Sequence, residues 1–179
     1  MNNILKNRFK MRKLVLLSTF SALAVVFRIF TFYVMGDTSR IVIYNIPIML
    51  AGFIFGPAGG LGAALIADVS AIIYEPRWNP FFMIPASLWG LIPGIFKYFI
   101  NIRDIRHLVI VEVLTHVLVT IINSFLIGSL FVHNLSWSFW AARLSLALPI
   151  MIIKMPIDII ILKVCIKRVI DPLVLEAKY

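Results

Sequence analysis

The stretch that decides the fold runs from residue 37 to residue 79 and reads DTSRIVIYNIPIMLAGFIFGPAGGLGAALIADVSAIIYEPRWN. It begins and ends in polar loops that each contain an arginine, Arg40 and Arg77. Between these loops, two short apolar segments meet at the turn Phe55-Gly56-Pro57. This order predicts a helical hairpin that enters a membrane and returns to the same side. We interpret the hairpin as one wall of a binding site that opens to the outside.

Small residues recur at four-residue spacing in three segments of the chain. Positions four apart lie on one face of a helix, and small side chains on such a face let a second helix approach closely in lipid. The three sets are Gly59, Ala63, Ala67 and Ala71; Ala86, Gly90 and Gly94; and Ser18 with Ala22. The pattern therefore predicts tightly packed membrane helices.

The composition predicts one integral membrane domain over residues 1–179. Hydrophobic residues make up 61% of the chain and charged residues 14%, with a mean hydropathy of +1.00. Soluble domains are about 45–50% apolar and about a quarter charged. The single cysteine cannot form an internal disulfide, and residues 14–27 lack the cleavage site of a signal peptide.

We predict an all-α protein with six transmembrane helices and both termini in the cytoplasm. The predicted helices cover residues 11–33, 41–55, 58–74, 81–99, 108–131 and 137–170. The second is short for a full span, so it crosses a thinned region or begins inside a loop. Prolines are expected to bend the fourth helix, at Pro85 and Pro93, and to interrupt the sixth, at Pro149 and Pro156.

The distribution of basic residues fits this topology, because cytoplasmic segments are enriched in Lys and Arg. It also explains most of the formal net charge of +9, which in a soluble protein would suggest nucleic acid as a partner. Twelve of the 17 basic residues fall on the predicted cytoplasmic side. The five exceptions are Arg28, Arg40, Arg77, Arg143 and Lys154.

The five exceptions point to a site, because a charge at membrane depth needs a partner, protein or water around it. Lys154 has a candidate partner in Asp158, one turn later on the same helix face. Asp68 is expected to pair with Arg28 or Arg143 in the same way. If the remaining arginines converge, the outer vestibule is positive and suits an anionic or carboxylate-bearing solute.

Polar and aromatic residues at the same level complete the predicted site, since small solutes are held by apolar walls with a few aimed polar groups. For a single arginine, contact with lipid headgroups is the competing interpretation. For the tryptophans, including Trp137 and Trp140, it is an interfacial aromatic belt. The predicted substrate-binding residues are Arg40, Tyr44, Asn45, Arg77, Trp78, Asn79, Trp89, Asn123 and Arg143.

The chain lacks the sequence motifs for ATP binding, nucleophilic catalysis and metal binding. The chain has no P-loop to hold ATP phosphates and no nucleophile elbow. His107, His116 and His133 show no metal-binding spacing, and His116 within a helix is expected to be a packing residue. We therefore predict no catalytic residue, no metal and no cofactor.

The block Ile46-Pro-Ile-Met-Leu-Ala-Gly-Phe-Ile-Phe-Gly-Pro57, followed by Asp68, resembles the substrate-binding S components of energy-coupling factor (ECF) vitamin transporters. The likeness is to the folate-type branch, which includes pantothenate-like and cobalamin-like members. The blocks Asn79-Pro-Phe-Phe, Gly90-Leu-Ile-Pro-Gly94 and Ala141-Ala-Arg-Leu144 fit the same pattern. The loops at 43–45 and 77–79 differ from those of folate-binding members, so the vitamin stays open.

The resemblance implies a non-enzymatic subunit of the bacterial cytoplasmic membrane that captures a B-type vitamin outside the cell. Folate, pantothenate and cobalamin are the expected candidates. The implied partners are a membrane coupling subunit, which would contact Ser18 and Ala22, and two ATPases, which would supply the energy for delivery. The competing hypotheses are a small intramembrane scaffold protein and a membrane-embedded enzyme that acts on lipid.

Overall fold

A computed structural model describes residues 2–30, 32–34, 39–41, 43–75, 78–133 and 136–170. Within them it does not describe the side chains of residues 2–10, 32–34, 39–41, 131, 169 and 170. Six α-helices and one short β-hairpin are the main elements of these ranges, which confirms the predicted number of helices. They are α1 (Asn2–Ile29), β1 (Phe32–Val34), β2 (Ser39–Ile41), α2 (Asn45–Phe55), α3 (Pro57–Ser70), α4 (Met83–Phe96), α5 (Ile105–Ile127) and α6 (Trp137–Cys165).

The β-hairpin between α1 and α2 was not predicted. The first helix was expected to continue to residue 33 and the second to begin at residue 41, and both expectations are wrong. Instead, β1 and β2 pair antiparallel, with Tyr33 opposite Arg40. Aromatic and β-branched residues such as Phe32, Val34 and Ile41 favour strands. Helical periodicity cannot separate such a short apolar run from the helices on either side of it.

α6 is continuous from Trp137 to Cys165, so the expected interruption at Pro149 and Pro156 does not occur. Both prolines are exposed on the helix surface. In membrane helices, local adjustment and neighbouring groups make up for the hydrogen bond that a proline removes. A π-helical segment, Ile166–Ile170, follows α6, and another, Gly128–Val132, follows α5.

The predicted turn between the second and third helices lies at Gly56. Its φ of 81° and ψ of −169° lie in a region that glycine alone populates readily. Pro57 is the first residue of α3. An N–H at this position would have no acceptor within the helix, so proline, which lacks the N–H, removes no helical hydrogen bond there, and its fixed φ suits the first turn. The Lys97 ammonium, at the end of α4, donates to the carbonyl of Ile54 and so satisfies an acceptor near the end of α2.

α2 is the central helix, with every residue from 45 to 53 buried. A helix that is apolar on all faces is stable only where it is surrounded. Glycines allow α2 and its neighbours α3 and α4 to approach one another closely. They are Gly52 in α2, Gly60 in α3 and Gly90 in α4. A Cβ added to Gly60 would lie 2.3 Å from the Gly90 carbonyl oxygen, and one added to Gly52 would lie 2.5 Å from the same oxygen.

Two helical stretches are long and apolar enough to cross a membrane. They are Ile105–Leu130 and Trp137–Arg168, with mean hydropathies of 2.0 and 2.1. Only 22% of each apolar window is buried, so neither is the enclosed core helix of a soluble domain. The other apolar helical stretches, Asn45–Phe55, Pro57–Ile73 and Pro80–Phe96, are shorter.

Candidate functional site

A cavity of about 190 Å³ lies between α4, α5 and α6 and is closed at the side by the end of α1 and the start of α2. Along α5 the lining runs from His116 to Ile127, and along α6 it runs from Lys154 back to Arg143. Each run covers twelve residues, and the eleven helical steps between its ends amount to about 16 Å. Four of the predicted site residues line this cavity: Tyr44, Trp89, Asn123 and Arg143.

One end of the cavity is formed by Trp89, His116 and Lys154, which come from three different helices. The Trp89 and His116 rings meet edge to face, with centroids 4.7 Å apart. The Lys154 ammonium lies 5.5 Å from the centroid of the Trp89 ring, within the range of a cation–π contact. This end therefore combines an aromatic surface with a positive charge.

A second layer of polar residues lies behind this end. Lys154 donates to Asp158, which is the pair predicted from their spacing, and Asn45 donates to Asp158 Oδ2 over 2.8 Å. Asn45 was predicted to bind the solute, but it is fully buried and does not line the cavity. Its amide instead connects the start of α2 to α6.

Glu112 belongs to the same buried layer. Its carboxylate is fully buried, and Oε1 lies 3.7 Å from His116 Nε2. Among the described residues, Glu112, His116 and Asp158 form a group that could hold a metal, with potential ligand atoms within 4.8 Å of one another. Because Lys154 already brings a positive charge into this group, we interpret it as an ion-paired polar cluster.

Arg28 lines the cavity at the end of α1 and joins three parts of the chain. Its guanidinium lies 2.9 Å from Asp68 Oδ1 in α3 and 3.3 Å from Glu75 Oε2 in the following loop. It also stacks on the ring of Tyr44, 4.6 Å from the centroid. Arg28 was thus the correct choice between the two arginines proposed as partners of Asp68.

Of the four residues predicted in loops, Trp78 and Asn79 are described, and neither lines the cavity. Arg40 lies in β2, and its side chain is outside the described residues, as is the whole of Arg77. Asn79 accepts a hydrogen bond from the Phe81 amide and caps the short helix Pro80–Phe82. Trp78 is half-buried beside it. An asparagine before a proline-led turn of helix is a capping signal, which the interpretation as a binding residue overlooked.

The list of predicted binding residues did not include three basic residues that line the cavity, Arg28, His116 and Lys154. Arg28 and Lys154 carried a usable signal, because both break the cytoplasmic bias of the basic residues. His116 carried none, since a histidine within an apolar helix gives no indication of which neighbour it faces.

Among the residues that the structure describes, the charged side chains that line the cavity are all cationic: Arg28, Arg143 and Lys154. The carboxylates of Asp68, Glu112 and Asp158 lie behind them and do not line it. The wall therefore presents hydrogen-bond donors, while the second layer offsets much of their charge. Such a surface recognises acceptor atoms by direct hydrogen bonds more than by a long-range positive field.

The predicted partner-contact residues lie on an open face of α1. Ser18 and Ala22 are both exposed, and so are their neighbours Met11, Leu14 and Val15. The structure thus leaves this small-residue face uncovered within the chain. Its role in partner binding stays a prediction.

Comparisons with known proteins agree with this architecture. The family model described as "ECF transporter, substrate-specific component" matches residues 12–166. The chain is similar to the crystal structure of FolT bound with folic acid, at 26% identity and a TM-score of 0.60, covering 82% of this chain and 87% of that one. A comparison with curated proteins finds no match.

A second solved structure, of the S component of a bacterial ECF transporter, shares 22% identity with a TM-score of 0.69, covering 92% of this chain and 98% of that chain. At this identity the likeness shows the fold alone. The family match and both structures concern transporter components, which are membrane proteins and not enzymes. Because the family model spans most of its length, the chain belongs to the family of substrate-specific (S) components of ECF transporters.

Proposed function

We propose that this chain captures a water-soluble B-type vitamin outside the cell and delivers it through a coupling subunit driven by two partner ATPases. The observation that carries the proposal is the cavity between the helices of an S-component fold, where the charged side chains among the described lining residues are all cationic. Donor groups on an aromatic wall suit a solute that has both a flat ring and acceptor oxygens.

Among the candidate vitamins, we propose a folate-like compound first and pantothenate second. The likeness to FolT bound with folic acid supports folate, which carries a ring system and two carboxylates. The volume of about 190 Å³ lies below the usual range of small-molecule pockets, about 300–1,000 Å³. This disfavours cobalamin most strongly, because its corrin ring and side chains are far bulkier, and it means that only part of a folate molecule would lie within the cavity.

We further propose that residues 1–179 form a single domain in the bacterial cytoplasmic membrane, with both termini in the cytoplasm. The support is the distribution of basic residues, since Lys97, Arg103 and Arg106 would share the cytoplasmic side with both terminal segments. Chemical labelling of single cysteines introduced at residues 5 and 175, from outside intact cells, tests the topology. Labelling of either cysteine in unbroken cells contradicts it.

Vitamin binding is expected to require the cavity. We predict that the purified chain binds folic acid with a Kd below about 1 µM. The Ala147→Trp variant, which fills the cavity from α6, is expected to lose binding at least tenfold. Quenching of the intrinsic tryptophan fluorescence reports binding to the wild-type chain, and isothermal titration calorimetry compares the variants.

The matched control is Ala141→Trp, on the exposed surface of the same helix, which should bind as the wild type does. Pantothenate and cyanocobalamin are titrated in parallel to rank the three vitamins. Unchanged binding by Ala147→Trp would show that the solute lies elsewhere. A wild-type chain that binds none of the three would contradict the proposed function.

The exposed small-residue face of α1 is proposed as the contact with the coupling subunit. We predict that Ala22→Trp abolishes co-purification with a co-expressed coupling subunit and its ATPases, because close helix packing requires small side chains. Folic acid binding should be unchanged in this variant. The Ala141→Trp chain again serves as the control, and normal assembly of Ala22→Trp would contradict the assignment.

A further inference from the structure

Lys154 is the charged residue at the end of the cavity formed with Trp89 and His116, and the proposed function assigns it no specific contact. Its side chain is only 9% exposed, although it forms part of the cavity wall. A buried ammonium is strongly unfavourable unless its donors meet acceptors. The contacts of Lys154 therefore show whether it has a purely structural role.

The contacts leave part of the ammonium unsatisfied. An ammonium group has three N–H donors. Among the described residues, the hydrogen-bond acceptor of Lys154 is Asp158, and its other close contact is the face of the Trp89 ring. The side chain also lines the cavity. Two of the three N–H donors therefore have no hydrogen-bond acceptor among the described residues, and the nine-tenths-buried side chain that carries them adjoins the cavity.

The ammonium is also held in position from behind. Asp158 is 3% exposed and accepts hydrogen bonds from both Lys154 and Asn45. Asn45 begins the buried helix α2, so the position of Asp158 is set by two helices. A lysine side chain loses several freely rotating bonds when it is ordered. Here the contact with Asp158 already orders the Lys154 side chain in the free protein. Solute binding therefore does not incur this loss of conformational entropy, which favours tight binding.

We propose that Lys154 is a solute-binding residue that donates a hydrogen bond to an acceptor oxygen of the bound solute at the end of the cavity formed with Trp89 and His116. This inference rests on the proposed function and names the chemistry of its deepest contact. The acceptor is either a carboxylate or a ring carbonyl, both of which folate carries. Asp158 and Asn45 act as positioning residues, since they touch Lys154 or its partner and not the cavity.

The obvious variant, Lys154→Met, removes the ammonium but leaves Asp158 buried without its cation, which destabilises a fold. The test therefore uses the double variant Lys154→Met, Asp158→Asn, in which the carboxylate that accepts the hydrogen bond from Lys154 is neutralised as well. Lys163→Met, an exposed lysine on the same helix, is the matched control. Each protein is purified in detergent, and its melting temperature is measured before titration.

The titrants are folic acid and folic acid with both carboxylates converted to amides. We expect the double variant to bind folic acid about 10- to 100-fold more weakly than the wild type, the range for a hydrogen bond to a charged group. The control should bind normally. A loss that disappears with the amidated compound identifies the acceptor as a carboxylate, and an equal loss with both identifies a ring oxygen.

Two outcomes would overturn the inference, and they are distinguishable. If the double variant folds and binds folic acid as the wild type does, Lys154 has no solute contact while the proposed function stands. If the wild type binds neither compound, nor pantothenate, the proposed function fails and the contact fails with it.

Discussion

Replacement of Arg28 by methionine is expected to lower the free energy of unfolding by about 3–5 kcal/mol, the range measured when one partner of a buried ion pair is removed. Arg28 is 7% exposed, and its partners Asp68 and Glu75 are 1% and 12% exposed. Without the guanidinium, the buried Asp68 carboxylate loses its ion pair with Arg28. The loss is measured by thermal unfolding in detergent.

Two companion variants show whether the effect comes from the buried pair. Arg106→Met removes an exposed arginine at the start of α5 and should leave the melting temperature nearly unchanged. Adding Asp68→Asn to Arg28→Met removes the unpaired charge and should recover part of the lost stability. If Arg28→Met melts like the wild type, the contact between α1 and α3 does not depend on this pair.

Gly90→Ala is expected to have the second-largest effect, even though alanine is the better helix former. A Cβ at this position would lie 2.2 Å from the Gly60 carbonyl oxygen, which is backbone and cannot rotate away. α3 and α4 would have to separate, and overpacking of this kind costs about 1–3 kcal/mol. The change is measured as a lower melting temperature of the purified protein.

Gly62→Ala is the matched control, because a Cβ added there meets nothing within 4 Å. At this open position only helix propensity acts, which favours alanine by about 0.8–1 kcal/mol. The two substitutions are chemically identical and are expected to change stability in opposite directions. Equal melting temperatures for the two variants would contradict the close approach of Gly60 and Gly90.

Much of the fold could be predicted from local patterns. The small residues at 86, 90 and 94 predicted a close helix contact, and two of them lie against backbone: Gly90 against Gly60 and Gly94 against Pro57. The alanines predicted at four-residue spacing along the third helix do lie on a buried face, since Ala63, Ala67 and Ala71 are all inaccessible to solvent. Yet the glycine that meets α4 is Gly60, one position from the predicted Gly59. Spacing identifies a face but not which member lies opposite a neighbour.

The candidate site was predictable only in part. Three of the predicted binding residues on helices, Trp89, Asn123 and Arg143, lie on the cavity wall, because a helix has few faces and the lipid face excludes polar groups. The loop residue Asn79 and the helix-start residue Asn45 were not. Each makes a hydrogen bond that depends on its immediate surroundings, Asn79 within its own turn and Asn45 across the bundle.

The sequence by itself determined the membrane class, the six helices, the Gly56 turn and the out-of-place charges at Arg28 and Lys154, because these follow from hydropathy, backbone preference and the energetic penalty of an isolated charge in lipid. Only the tertiary structure decided how those charges are used. It placed Asp68 against Arg28 and Asp158 against Lys154, and left the cations on the cavity wall with the carboxylates behind. The reason is physical: the charge of a residue is local, whereas the direction in which it points is set by helices that pack from distant parts of the chain.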